Sequence, residues 1–141
     1  NNIGSIFRTC DAFLVSKIYL CGITAQPPNR KINKTALGST ESVEWEYFKS
    51  TKKIIEKLKS KGVKIWSIEQ VEKAKKLHEI EEIDKGIEHA VVFGNEIKGV
   101  SQEIIDISNN TIEIDQYGTK HSLNVTVAAG IVVWKFYNSL N

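Results

Sequence analysis

The stretch Ala90-Val91-Val92-Phe93-Gly94-Asn95-Glu96-Ile97-Lys98-Gly99-Val100-Ser101 decides how the chain reads. Its first four residues are apolar and rich in strand formers, and predict a buried strand. Two glycines then flank a carboxylate, which lets the backbone turn sharply and approach a ligand closely. Ser101 is placed to start a short helix through Ile107. Glu96 in such a turn could hold a hydroxyl or a cationic ligand; the plain alternative is an ordinary strand-to-helix connection.

Outward from this point the same alternation continues in both directions. Ile3, Phe7, Cys10 and Leu14 recur at helical spacing and predict a helix over 3–15. Residues 18–23 read as a strand, and 26–33, with Pro27-Pro28-Asn29, as a loop. A turn or short helix near 34–37 leads to the aromatic segment Trp45 to Phe48. Ser50 can cap a helix carrying Ile54, Ile55 and Leu58, which stops at Gly62. Residues 63–68 alternate as a strand, 73–83 fit either class, 111–114 form a further strand, and 122–140 form the last helix. Strands separated by short helices predict an α/β fold with a parallel sheet covered on both faces. Ligands in such sheets gather at the carboxyl ends of strands. The polar and glycine clusters fall there, at Gly94-Asn95-Glu96 and at Gln116 to His121, so a cofactor site is expected among those loops.

Composition sets the outer limits. A chain of 141 residues is one domain by length and can bury a core without disulfides or metal. Cys10 and Cys21 lie in apolar segments without CxxC spacing and read as buried free thiols in a reducing cytosol. The longest apolar stretch, Val125 to Trp134, is broken by Thr126 and Gly130 and is too short to span a bilayer. No secretion signal opens the chain, and a cytoplasmic location is expected. The absence of methionine, with Asn1 first, suggests a piece of a longer protein. His78, His89 and His121 have no metal-ligand spacing, so no metal is expected.

Net charge is only +2, but it is unevenly spread. Seven lysines and one acid lie between Lys49 and Lys64, and Arg30, Lys31 and Lys34 add charge to a polar loop. Such a patch suits RNA phosphates, although a solvated helix face has the same pattern.

Two further segments carry chemistry. In Asn2-Ile3-Gly4-Ser5-Ile6-Phe7-Arg8, Arg8 is one of only two arginines and lies within an otherwise apolar helix. Its guanidinium either meets an anion or forms a surface ion pair. In the segment from Ile112 to Gly130, Ser122 can cap the last helix and Asn124 would sit in its first turn, its amide available to a ligand or to the loop. Ala128, Ala129 and Gly130 make a small-residue face, and Trp134 and Phe136 extend the apolar surface. A helix that is apolar on most sides needs cover from several directions, and a partner subunit is a natural source.

Taken in order, the three segments resemble the motifs of the SpoU (TrmH) family of SPOUT methyltransferases, from Asn2 to about Tyr137. Asn2, Gly4 and Arg8 match the first motif, Gly94, Glu96 and Gly99 the second, and Ser122, Leu123 and Asn124 the third. Lys34 to Gly38 followed by Trp45 to Phe48 is similar to the tRNA-methylating branch. The resemblance implies a parallel-sheet α/β fold with a C-terminal deep trefoil knot, and a homodimer packed through its terminal helices. The implied activity is methyl transfer from S-adenosylmethionine to a ribose 2′-hydroxyl of RNA, tRNA before rRNA. Arg8 would be the catalytic arginine, with Asn2, Glu96, Ser122 and Asn124 supporting it. The cofactor cleft would use Ile68, Gly94, Asn95, Gly99, Ile114, Gln116, Ser122 and Leu123.

Two departures accompany the match. The family pattern places a strand ahead of the first motif, where this sequence opens. Asp115 stands where the third motif usually has proline. Two other classes compete: a non-catalytic dimeric RNA-binding scaffold, and a flavodoxin-like nucleotide binder, which the lack of a GxGxxG or P-loop disfavours.

Overall fold

Asn29 shows how local chemistry sets the elements. Its Oδ1 accepts from the amides of Lys31 and Ile32 at 2.9 and 3.3 Å, so a helix starts at Arg30, inside the loop predicted over 26–33. The structure is a computed structural model that describes residues 2–95, 97–118 and 123–141. Glu96 and Ser122 lie outside the described residues. The described chain forms two compact units.

The first unit comprises residues 1–51, 126–139 and 141. It holds α1 (Asn2–Ala12), β1 (Lys17–Cys21), α2 (Arg30–Ala36), α3 (Ser39–Ser42), β2 (Glu44–Phe48) and most of α6 (Val125–Leu140). The helix predicted to reach 15 stops at Ala12, and Leu14 takes a left-handed φ of 56° that helical backbone cannot accommodate. The aromatic segment 45–48 belongs to a strand, and β1 and β2 pair in parallel with Lys17 opposite Glu44 and Cys21 opposite Phe48. Phe7, Cys10, Leu20, Ile32, Ala36 and Val43 form the core. Burying one such large apolar side chain contributes about 1.5–3 kcal/mol. Gly4 is where α1 meets α2: a Cβ there would overlap Thr35 Oγ1 and press on Ile32 O and Ala36 N.

The second unit comprises residues 52–125 and 140. It holds α4 (Thr51–Ser60), β3 (Lys64–Ile68), β4 (Lys75–Lys76), β5 (His89–Phe93), α5 (Gln102–Ile107) and β6 (Asn110–Glu113). The strands pair in parallel in the order β4-β6-β3-β5. The ambiguous stretch 73–83 resolves into β4 and a short 3-10 turn, Leu77–Glu79. Ile55, Ile65, Val100 and Ile104 form a core cluster. Ser101 caps α5 as predicted, its Oγ accepting from Ile104 N at 3.4 Å.

Two expectations change. The parallel strands are divided between a two-stranded and a four-stranded sheet rather than joined in one. The last helix starts at Val125 rather than at 122, so Asn124 precedes its first turn. Along α6, Ala129, Val132, Val133 and Phe136 are buried, while Val127, Ile131 and Trp134 are exposed. Among the described residues no helix is long and apolar enough to cross a membrane.

Candidate active site

Register at the end of the four-stranded sheet builds the site. Ile68 closes β3 opposite Phe93 of β5 on one side and Ile112 of β6 on the other. Glu69 and Gly94 therefore leave the sheet side by side at its carboxyl edge, next to Glu113, the last residue of β6, where parallel sheets bind ligands.

The loop after β5 is braced from within. Asn95 O accepts from Gly99 N at 2.9 Å, and Asn95 Oδ1 accepts from Ile97 N and Lys98 N at 2.9 and 2.7 Å. A Cβ at Gly94 would overlap the carbonyl of Gly99 and the amide of Val100, so the turn closes only with glycine there. Gly99 takes a φ of 66°, open to glycine at no steric cost. Val100 N donates to Glu69 Oε2 at 2.9 Å. The amides of residues 97–100 are thus all satisfied by the protein, and the turn holds its shape without a ligand. The Asn95 side chain shapes the turn.

The loop after β6 is tied at two points. Lys76 Nζ lies 2.5 Å from both Glu113 Oε1 and Asp115 Oδ1, gripping the chain on either side of Ile114. The Lys76 ammonium holds Asp115 below the usual carboxylate range, and Asp115 and Glu113 together push the Lys76 ammonium up. Further on, Gln116 Oε1 accepts from Leu123 N at 2.9 Å, which brings Leu123 of the third motif back toward the exit of β6. Ile68, Gly94, Asn95, Gly99, Ile114, Gln116, Leu123 and Asn124 all belong to this second unit.

Asn2 and Arg8 belong to the first unit. Gly4, Phe7 and Cys10 form the buried face of α1, and Arg8 is exposed. It makes no hydrogen bond or ion pair with any described residue, so its guanidinium is open to an outside anion. Asn2 Oδ1 accepts from Thr126 Oγ1 at 2.7 Å, joining the first motif to the first turn of α6. Burial pushes the Cys10 thiol up to about 12, which keeps it protonated and unreactive.

Sequence reasoning passed over Glu69, Lys76 and Thr126. Glu69 carried a signal, being the first residue past a strand end beside the glycine turn. Lys76 and Thr126 carried none, because their partners are 37 to 39 and 124 residues away.

Comparison with known proteins places these features in a family. Residues 1–134 match the SpoU rRNA Methylase family. The chain is 34% identical over 142 residues to the tRNA (guanosine(18)-2′-O)-methyltransferase of Aquifex aeolicus, covering 96% of this chain and 62% of that protein. It thus spans about three fifths of that relative's length. The crystal structure of the A. aeolicus TrmH/SpoU tRNA modifying enzyme superposes with a TM-score of 0.83 at 31% identity, covering 98% of this chain and 68% of that one. The AdoMet-bound rRNA methyltransferase of Sinorhizobium meliloti gives a TM-score of 0.89 at 25% identity, over 99% of this chain and 52% of that one. The three motifs, the α/β fold with parallel strands and the match over nearly the whole chain agree: the chain belongs to the SpoU methylase family.

Proposed function

We propose that this chain forms a single SPOUT methyltransferase domain transferring a methyl group from S-adenosylmethionine to a ribose 2′-hydroxyl of RNA. The observation that carries this reading is the self-braced turn Gly94–Gly99, set on the same sheet edge as Ile68 and the Ile114–Gln116–Leu123 loop. Half-buried Ile68 and Ile114 offer apolar surface for a flat ring, and the loops offer backbone polar groups to fix its orientation. These residues fit an adenosine-bearing methyl donor. When bound, that donor supplies a methyl group on a positively charged sulfur.

The chain's own residues do the rest. The loops orient the donor against the ribose oxygen, which lowers the barrier by positioning. Arg8, exposed and without a partner among the described residues, binds the adjoining phosphate and stabilises the developing alkoxide. It does not serve as base, since arginine stays protonated in proteins. Asn2 steadies α1 through Thr126, and the match to the family's motifs gives Glu96, Ser122 and Asn124 the remaining supporting roles.

Exposed Val127, Ile131 and Trp134 form a stripe at helical spacing on α6, the surface through which a homodimer would pack. Arg8 then acts on RNA held by the partner subunit. The C-terminal segment forms the deep trefoil knot that the family resemblance implies, a reading supported by the match of residues 1–134 to the SpoU family. A cytoplasmic location goes with an RNA substrate.

tRNA is the favoured substrate, as for the A. aeolicus relative; rRNA is the second reading, favoured by the S. meliloti superposition. Tritiated methyl transfer from S-adenosylmethionine to bulk tRNA and to rRNA tests both. Label in tRNA is expected, with none above background for Arg8→Ala. Label in rRNA alone shifts the substrate. RNA binding without label indicates a scaffold and overturns the enzyme, and equal label from Arg8→Ala removes Arg8 from its role.

A further inference from the structure

Glu69 connects two strand ends at the candidate site. It is the first residue after β3, the strand lying between β5 and β6, and its backbone amide donates to Ile112 O at 3.0 Å. Its carboxylate reaches 31 residues along the chain: Oε2 accepts from Val100 N at 2.9 Å, while Oε1 accepts from Gln70 N at 3.0 Å. The same carboxylate lies over Gly99, where a Cβ would overlap Oε2. The amides of residues 97–99 are satisfied by Asn95, inside the turn itself. Val100 is the first residue after Gly99, and its amide is satisfied from another strand. Among these bonds it alone fixes the position of the turn, as opposed to its internal shape.

We propose that Glu69 is a positioning residue for cofactor binding, anchoring the Gly94–Gly99 turn to the end of β3 through the Val100 amide. This rests on the methyl-donor reading of the site. The role needs an acceptor oxygen at the end of a two-methylene side chain and does not need a negative charge. Glu69→Gln keeps reach and acceptor without charge. Glu69→Asp keeps charge and loses reach.

The test measures S-adenosylmethionine affinity by calorimetry on the full-length protein, with hydrogen exchange at the Val100 amide on the ligand-free protein. Leaving the buried Val100 amide without its acceptor costs enough that binding weakens about tenfold. Glu69→Asp is expected to show that weakening, a raised KM for the donor against an unchanged KM for RNA, and faster exchange at Val100. Glu69→Gln is expected within about threefold of wild type in affinity, with Val100 still protected. Glu69→Asp with wild-type affinity overturns the proposal. So does loss of affinity in Glu69→Gln but not in Glu69→Asp, which would mean that the charge acts on the donor directly. Failure of the wild type to bind overturns the methyl-donor reading itself, and the role of Glu69 with it.

Discussion

Thr126 Oγ1 donates a 2.7 Å hydrogen bond to Asn2 Oδ1 across 124 residues of sequence. The bond fastens the start of α1, which presents Arg8, to the first turn of α6, which directly follows the Leu123-Asn124 motif. Removing it should loosen the first unit without emptying its core. Thr126→Val is expected to cost about 1 kcal/mol in chemical denaturation. Methyl transfer should fall while donor affinity stays near wild type.

Gly94 has no room for a side chain. Gly94→Ala would force a Cβ into the Gly99 carbonyl and the Val100 amide, which are backbone atoms with little room to give. Destabilisation of about 1–3 kcal/mol is expected, together with loss of donor binding in a thermal-shift titration. Gly130→Ala is the matched control, because among the described residues nothing beyond its own helix backbone and chain neighbours lies within 4 Å of a Cβ there.

The Lys76–Asp115–Glu113 cluster predicts a pH window. Asp115 is lowered from 3.8 by Lys76, so its contribution is present above that pH and is lost as pH falls through the folded value. Lys76 is raised from 10.5 by Asp115 and Glu113, so its contribution is present below 10.5 and is lost as pH rises through the folded value. Wild type and Lys76→Met should therefore differ in stability by a constant amount between these limits and converge outside them. Added salt should shrink the difference, since the side chains reach solvent. Urea melts across pH measure this directly, and a difference that peaks at acid pH would refute the assignment.

Trp134 is 55% exposed on the same α6 stripe as Val127 and Ile131. Trp134→Glu places a charge in the proposed dimer surface. Sedimentation analysis should show the wild type as a dimer and the variant shifted to monomer, with its helical circular dichroism preserved.

Four of the six strands could be read because apolar runs ending in glycine or polar clusters have few alternatives, while β2 was read only as an aromatic segment. Ala90 to Phe93 followed by Gly94 is such a run, and β5 starts one residue earlier, at His89. β4 could not be read: Lys75 and Lys76 have neither alternation nor strand propensity, and they are extended because β6 pairs with them. The helix at Arg30 follows two prolines, which by themselves signal a loop, and it depends on the cap at Asn29. At the site, Gly94 and Gly99 were legible as turn glycines from their type and spacing, whereas Ile68 entered only through the family resemblance. The bonds that brace the two loops, from Glu69 to the glycine turn and from Lys76 to Glu113 and Asp115, join residues distant in sequence and appear only in three dimensions.

Mass spectrometry of nucleosides bears most directly on the chemistry. tRNA incubated with S-adenosylmethionine and the full-length protein, then digested, should yield a new 2′-O-methylnucleoside absent from the untreated sample. A methyl group found on a base instead, or no new nucleoside in either tRNA or rRNA, would contradict transfer to the ribose.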